Sequence, residues 1–353
     1  MDTRRQPVGS PTRSRFKPGH LLGLAVLAGG ASLARPLPSP WSPEPARVTA
    51  PADSDPAVDL SVLTYNVRGL PWPAAEDRSA ALARIGERLG EMRAEGRHPS
   101  IVVLQEAFTA EAKAIADTAG YPWRVDGPYI RASPGNPEGG SWYLGETRAA
   151  MLDSGLVLLS DLPVLDVARA PFPTGACAGF DCLAAKGVLL VTVSVPGKGA
   201  VTVATTHLNS RRASAAPFAR THAAYRRQAA FTARFLEAQR PTAAPMIVAG
   251  DFNRGDRPVR IAALRATLGR LGEGGLREGL AESMLHDRKV ATLSDATAIR
   301  RRGRDMQFVF DGASARLEAV AAAVPFGSEA DGTSLSDHFG LVVQYRVIPR
   351  RER

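Results

Sequence analysis

The chain has 353 residues, 44% of them hydrophobic, and 44 Lys and Arg against 35 Asp and Glu give a formal net charge of +9. That length and apolar content suit one large α/β domain with appendages, while the lack of any 20-residue apolar stretch excludes a permanent membrane span. The arginines are scattered, with no Lys/Arg run interleaved with aromatics such as a dedicated single-strand nucleic-acid binder carries.

In chain order, Arg4, Arg5, Arg13, Arg15 and Lys17 precede an apolar stretch from Leu21 to Ala34, and Ser32-Leu33-Ala34 offers small residues for cleavage. Residues 1–34 therefore read as a signal peptide, or else as a short uncleaved anchor or tail, since the stretch is rich in glycine. Cleavage there leaves a net charge of about +5, mildly basic. Residues 35–57, rich in Pro, Ala and Ser, read as an extended linker. A folded domain is expected over 58–346, followed by a basic tail over 347–353.

Leu60 to Tyr65 reads as a strand ending in Asn66, with a loop through Gly69-Leu70-Pro71-Trp72-Pro73. Leu82, Ile85, Leu89 and Met92 recur at helical spacing over 74–94. Ser100 to Gln105 is a buried strand that stops at Glu106; a glutamate after an apolar run needs either a cation or solvent. A short helix is expected over 109–119. Residues 126–150, rich in Pro and Gly, form a long loop bearing Tyr129, Trp142 and Tyr143. Ser154 to Ser160 is a strand, and 188–195 with 200–206 form a hairpin across Pro196-Gly197-Lys198-Gly199. The hairpin ends at Thr206-His207-Leu208-Asn209, where His207 is either a structural or a catalytic histidine. A helix over 217–239 carries His222 at its surface. It leads to Met246-Ile247-Val248-Ala249-Gly250-Asp251-Phe252-Asn253, a strand that ends in a glycine, a carboxylate and an amide. The segment 256–300 is arginine-rich and partly helical. Ser336-Asp337-His338 is a turn before a closing strand over 339–345, and there Asp337 is expected to orient the His338 imidazole as a base.

Asn66, Glu106, His207, Asp251, Asn253, Asp337 and His338 thus all fall where strands end. Tyr65-Asn66, Gln105-Glu106, Thr206-His207-Leu208, Gly250-Asp251-Phe252-Asn253 and Ser336-Asp337-His338, in this order, resemble the endonuclease/exonuclease/phosphatase superfamily of Mg²⁺-dependent phosphoesterases. The resemblance covers about residues 58–346. It implies a four-layer α/β sandwich, two mixed sheets face to face with helices outside. It also implies Glu106 as the principal ligand of Mg²⁺, or of Mn²⁺ in its place, with Asn66 beside it. Asp251 would orient the attacking water, Asn253 and His207 would hold phosphoryl oxygens, and His338 would be the general base. One departure stands out: where the family carries Asp in a pattern like I-D-Y-I-F, this chain has Met306-Gln307-Phe308-Val309-Phe310. Either Gln307 fills the role or Asp305 reaches in.

His207 separates the chain from abasic-site endonucleases, and no tyrosine follows as in inositol polyphosphate 5-phosphatases. Phe180-Asp181-Cys182-Leu183-Ala184-Ala185-Lys186-Gly187 resembles the D-x-L-x-x-K-G segment of secreted and neutral sphingomyelinases, which implies Asp181 and Lys186 as a switch near the site; otherwise they are a surface ion pair. The expected function is exported hydrolysis of a phospholipid phosphodiester by a monomer working peripherally on a membrane, periplasmic or secreted. A secreted nuclease acting on nucleic acid, or a catalytically dead binding module, are the alternatives. Cys177 and Cys182 are the only cysteines, and in an exported protein so close a pair is expected to form a disulfide.

Overall fold

The computed structural model describes residues 58–129 and 139–350. The expected signal peptide and linker, residues 130–138 of the long loop, and 351–353 of the expected tail lie outside them. Two mixed six-stranded sheets are present. The first runs β11 (Ala315–Phe326), β12 (Gly340–Pro349), β1 (Leu60–Gly69), β2 (Ile101–Ala107), β4 (Val157–Ser160), β3 (Trp123–Asp126). The second runs β5 (Val164–Pro171), β6 (Gly187–Val195), β7 (Gly199–His207), β8 (Met246–Asp251), β10 (Asp305–Phe310), β9 (Arg277–Glu278). At the centre of each sheet lies one parallel pair, β1 with β2 and β7 with β8. Parallel neighbours need a crossover. Helices α1 (Ser79–Ala94) and α3 (Phe218–Gln239) supply the two crossovers, and α2 (Ala110–Ala119) follows β2 directly.

Strand alternation sorts the side chains into layers. Leu60 and Val62 of β1, Val103 of β2, Val203 of β7, Ile247 and Ala249 of β8 and Val309 of β10 meet in the core between the sheets. Their neighbours one residue along face the helices: Leu63 and Leu104 pack with Leu82 and Ile85 of α1, while Val248 and Phe308 pack with Tyr225 and Leu236 of α3. The result is the expected four-layer sandwich. Each fully buried aliphatic side chain contributes about 1.5–3 kcal/mol relative to exposure, so the core between the sheets is what fixes their mutual position.

The remaining helices, α4 (Pro258–Thr267), α5 (Gly279–His286), α6 (Arg288–Thr292) and α7 (Ser294–Arg302), make the arginine-rich segment more helical than its composition suggests. Two expectations need correction here. β12 continues through Pro349 against β11, so residues 347–349 belong to the sheet and not to a tail. Gln307 is an internal tie and not a site residue: its Nε2 donates to the Val62 and Leu341 carbonyls at 2.9 and 3.1 Å, and its Oε1 accepts from the Tyr345 hydroxyl at 2.8 Å. It lies on the inner face of β10, deep between the sheets, where a polar side chain must be satisfied by backbone.

Candidate active site

The inner-face alternation that builds the core carries on into polar residues at one end of the sandwich. Continuing β1 past Val62 and Thr64 gives Asn66; β7 past Val203 and Thr205 gives His207; β8 past Ile247 and Ala249 gives Asp251. β10 is antiparallel to β8, and its first residue, Asp305, pairs with Asp251. Glu106 is out of phase, because Val102 and Leu104 face the helices. Its backbone φ of +56° is a left-handed conformation rare outside glycine, and it turns the carboxylate into the mouth. Gly250 serves the close approach of β7 and β8, since a Cβ there would stand 2.1 Å from the Thr206 carbonyl oxygen.

The side chains converge on Asp251. Its Oδ2 accepts from Asn66 Nδ2 and from Asn253 Nδ2, both at 3.2 Å, and its Oδ1 accepts from the Asn253 backbone N–H at 2.9 Å. His207 Nε2 is 3.3 Å from Oδ2, and His338 Nε2 is 3.8 Å away. Burial acts to raise Asp251, but the adjacent imidazolium of His338, with the Asn253 N–H and Lys186, outweighs it and the net direction is down, so the carboxylate stays charged. Asn253 also donates to the Leu208 carbonyl at 3.0 Å, which joins the loops after β7 and β8.

His338 lies as expected, but its orienting partner does not. Nδ1 faces both carboxylate oxygens of Asp305, at 2.8 and 2.9 Å, whereas Asp337 is half exposed and faces Arg68 at 3.9 Å. The correction is geometric: the chain bends over 335–338, which turns His338 in toward Asp305 and leaves Asp337 outside beside Arg68. Burial on its own would lower His338; Asp305 and Asp251 more than reverse this and hold it at about 10. Burial raises Asp305, against the pull of the imidazole.

Across the mouth, Glu106 Oε1 is 3.9 Å from His207 Nε2. Burial pushes Glu106 up, and Asn66, His338 and Lys186 pull it down only in part. Among the described residues no Lys or Arg forms an ion pair with it, so this carboxylate keeps capacity for a hard cation. Asp251, Asp305 and His338 also present ligand atoms within 4.8 Å of one another. Those two carboxylates already share the imidazole, which leaves Glu106 the better-suited ligand.

The Asp181–Lys186 segment reaches the site. Cys177 and Cys182 form the expected disulfide around a short 3₁₀ turn, Gly179–Leu183, that carries Asp181. Asp181 accepts from Lys186 Nζ and, at 2.6 Å, from the Ser210 backbone N–H. Lys186 immediately precedes β6, whose pairing with β7 brings it beside His207, Nζ to Nε2 at 3.1 Å. Burial and this ammonium together hold His207 down at about 3, a neutral ring.

Trp142 and Tyr143 are exposed, their rings edge to face at 6.3 Å. The turn bearing them is pinned by the buried carboxylate of Glu146, which accepts from the backbone N–H groups of Ser141 and Gly179 and pairs with Arg220. That bond to Gly179 places the aromatic turn next to the Asp181 segment. Tyr129 is held separately, under Arg169. His222, expected at the surface, is half-buried and stacks on Phe218. Two groups were not legible in the sequence. Arg260 is fully buried, donating to the Asn209 and Asn253 carbonyls at 2.9 and 2.7 Å and lying over the Tyr225 ring. Arg304 stands 3.4 Å from His338 Nε2. Both sit in stretches whose many arginines hid them.

The model of the Endonuclease/Exonuclease/phosphatase family matches residues 63–338. A Drosophila melanogaster protein described as "Putative neutral sphingomyelinase" is 26% identical over 310 residues, 84% of this chain; the chain spans 63% of that relative's length. A mutant beta toxin of Staphylococcus aureus, solved with bound magnesium ions, aligns at a TM-score of 0.53 and 16% identity over 81% of this chain and 99% of its own. Sphingomyelinase C from Streptomyces griseocarneus aligns at 0.51 and 23% identity over 81% and 98%. A humanized D. rerio TDP2 aligns at 0.53 and 18% identity over 81% and 98%. These structural likenesses establish a common fold.

Proposed function

Because this chain belongs to the endonuclease/exonuclease/phosphatase family, we propose that it is an exported, Mg²⁺-dependent phosphodiesterase that hydrolyses a phospholipid head group, as a sphingomyelinase does. The observation that carries the choice of branch is the 3.1 Å approach of Lys186 to His207, which ties the Asp181–Lys186 segment to the phosphoryl side of the site. Identity with the fly relative supports the same branch.

Glu106, with Asn66 beside it, would hold the metal, which supplies a Lewis acid at a phosphoryl oxygen when bound. Asp251, charged and fixed by three N–H donors, orients a water. The water oxygen bonds to phosphorus and the bond to the leaving alcohol breaks. His338 takes the water's proton at Nε2, because Nδ1 is committed to Asp305, and the leaving oxygen recovers a proton as the alcohol departs. Asp305 and Asp251 keep that imidazole protonated at rest; a cation held by Glu106 would weaken their hold and so favour the free base. Asn253, whose Nδ2 donates to Asp251 and to the Leu208 carbonyl, holds the water-orienting carboxylate in place, and Lys186, donating to neutral His207, sets positive charge on the phosphoryl side as charge develops.

Trp142 and Tyr143 form the docking rim, since amphipathic aromatics favour a headgroup layer. A nuclease reading has one observation of its own: Arg68, Arg211, Arg254 and Arg304 stand on four of the loops and strand ends that frame the mouth. The test compares Mg²⁺-dependent turnover of sphingomyelin vesicles, phosphatidylcholine vesicles and plasmid DNA. Hydrolysis of sphingomyelin that Lys186→Ala depresses supports the proposal. Rapid nicking of plasmid, steeply salt-dependent, with both lipids untouched, replaces it with the nuclease.

A further inference from the structure

We propose that Arg304 is a catalytic residue of this site, a guanidinium that grips a non-bridging oxygen of the phosphodiester on the His338 side, opposite Glu106. The inference rests on the phosphodiesterase reading above and adds a residue that the family resemblance did not assign.

Arg304 directly precedes β10, and its carbonyl accepts from the Phe252 N–H at 2.7 Å, so its position is locked to the turn that carries Asp251 and Asn253. Its side chain is half-buried, with Nη1 3.4 Å from His338 Nε2. That nitrogen is the reacting one, because Asp305 holds Nδ1. Arg304 therefore lies on the face of the imidazole where the phosphoryl group must arrive.

A guanidinium in such a place is ordinarily matched by a carboxylate. Among the described residues none lies within ion-pairing distance of Arg304. The nearby acids are engaged elsewhere: Asp305 with His338, Asp251 with Asn66, Asn253 and His207, and Asp337 with Arg68. Two basic groups thus face one space whose missing anion is a phosphate. The planar fork of arginine suits two oxygens on one phosphorus better than an ammonium does. On binding, the Arg304 guanidinium donates to the phosphoryl oxygen and shields the developing charge; no covalent bond of Arg304 changes. By contrast, Arg257 is exposed and paired with its neighbour Asp256, and so serves as a control for bulk charge.

The experiment uses the purified chain with Mg²⁺ and bis(p-nitrophenyl) phosphate, together with calorimetric titration of inorganic phosphate. Failure of the parent to hydrolyse this diester sinks the phosphodiesterase reading itself. If the parent is active, Arg304→Ala should lose on the order of 10²-fold or more in kcat/KM, as removal of one donor to a developing oxyanion does. Arg304→Lys should recover little, added guanidinium ion should restore part of the Arg304→Ala rate, and phosphate should bind this variant about tenfold more weakly. Arg257→Ala should match the parent in each measurement. Arg304→Ala within about threefold of the parent overturns the assignment. So does a loss with unchanged phosphate affinity and no guanidinium rescue, which would mark a merely structural arginine.

Discussion

Asp305→Asn and Asp337→Asn form a paired test of which carboxylate works with His338. Asp305 is buried and straddles Nδ1 with both oxygens, at 2.8 and 2.9 Å. An asparagine there removes the charge, and an amide N–H turned toward Nδ1 forces the proton to Nε2, the wrong tautomer for a base. Loss of an orienting carboxylate of this kind costs on the order of 10²- to 10⁴-fold in kcat, equivalent to about 3–5 kcal/mol of barrier. Asp337 is 52% exposed in its side chain and its partner Arg68 is 3.9 Å away. An exposed pair contributes about 1 kcal/mol or less, so Asp337→Asn should stay within about fivefold of the parent. Steady-state turnover of a soluble phosphodiester at saturating Mg²⁺, with circular dichroism to check folding, measures both. Equal damage from the two substitutions, or a fully active Asp305→Asn, would refute the dyad.

Three further outcomes are expected. Glu106→Gln should weaken Mg²⁺ binding by about tenfold or more in a metal titration, since a hard cation loses its charged ligand; unchanged affinity would move the metal to Asp251 and Asp305. Gln307→Leu should cost roughly 1–3 kcal/mol in urea melts, because it strips the Val62 and Leu341 carbonyls and the Tyr345 hydroxyl of a partner. Its turnover per folded molecule should remain near that of the parent, and a selective loss of turnover would return Gln307 to the site. The metal-free protein should lose stability as pH rises from about 6.5 through about 10. His338 is held up near 10 in the fold, so its contribution is complete below the unfolded value and disappears above the folded one, an effect of a few kcal/mol. Melts in EDTA at pH 7 and 10.5 should show this, and His338→Gln should flatten the slope; a parent that is flat over the same range contradicts the buried ion pair.

The sequence carried most of the mouth because strand ends are abrupt. Ala249-Gly250-Asp251 and Leu104-Gln105-Glu106 break an apolar run with a charge, and that break survives without knowledge of register. Partners across the fold were less legible. Asp305 opens a strand whose apolar part follows it, so the sequence leaves it and Gln307 as alternatives; both lie on the inner face, and the position of Asp305 at the strand end beside His338 decides between them. Asp337 is next to His338 in the chain, but the bend over 335–338 sends the two side chains different ways, and adjacency in sequence does not show this. β11 is not legible in the sequence because Ala319, Ala321, Ala322 and Ala323 lack the β-branched signal of a strand, and its identity comes from pairing with β12. The Lys186–His207 approach is likewise a product of hairpin register between β6 and β7.

The centre is divided between two separately hydrogen-bonded sheets. Asn66 and Glu106 belong to one; His207, Asp251 and Asp305 belong to the other; the 3.2 Å bond from Asn66 to Asp251 crosses the seam. Among the described strands no ladder pairs one sheet with the other; the packed aliphatic layer and side-chain ties such as Gln105 to Thr205 at 3.2 Å join them. A slip of one ångström between the sheets would leave every strand intact and every helix in place, yet it would pull Asn66 and Glu106, the proposed metal ligands, off the carboxylate of Asp251. Turnover in this molecule is therefore a gauge of sandwich alignment, finer than any spectroscopic measure of secondary structure, and substitutions in the aliphatic layer far from the mouth act on chemistry through it.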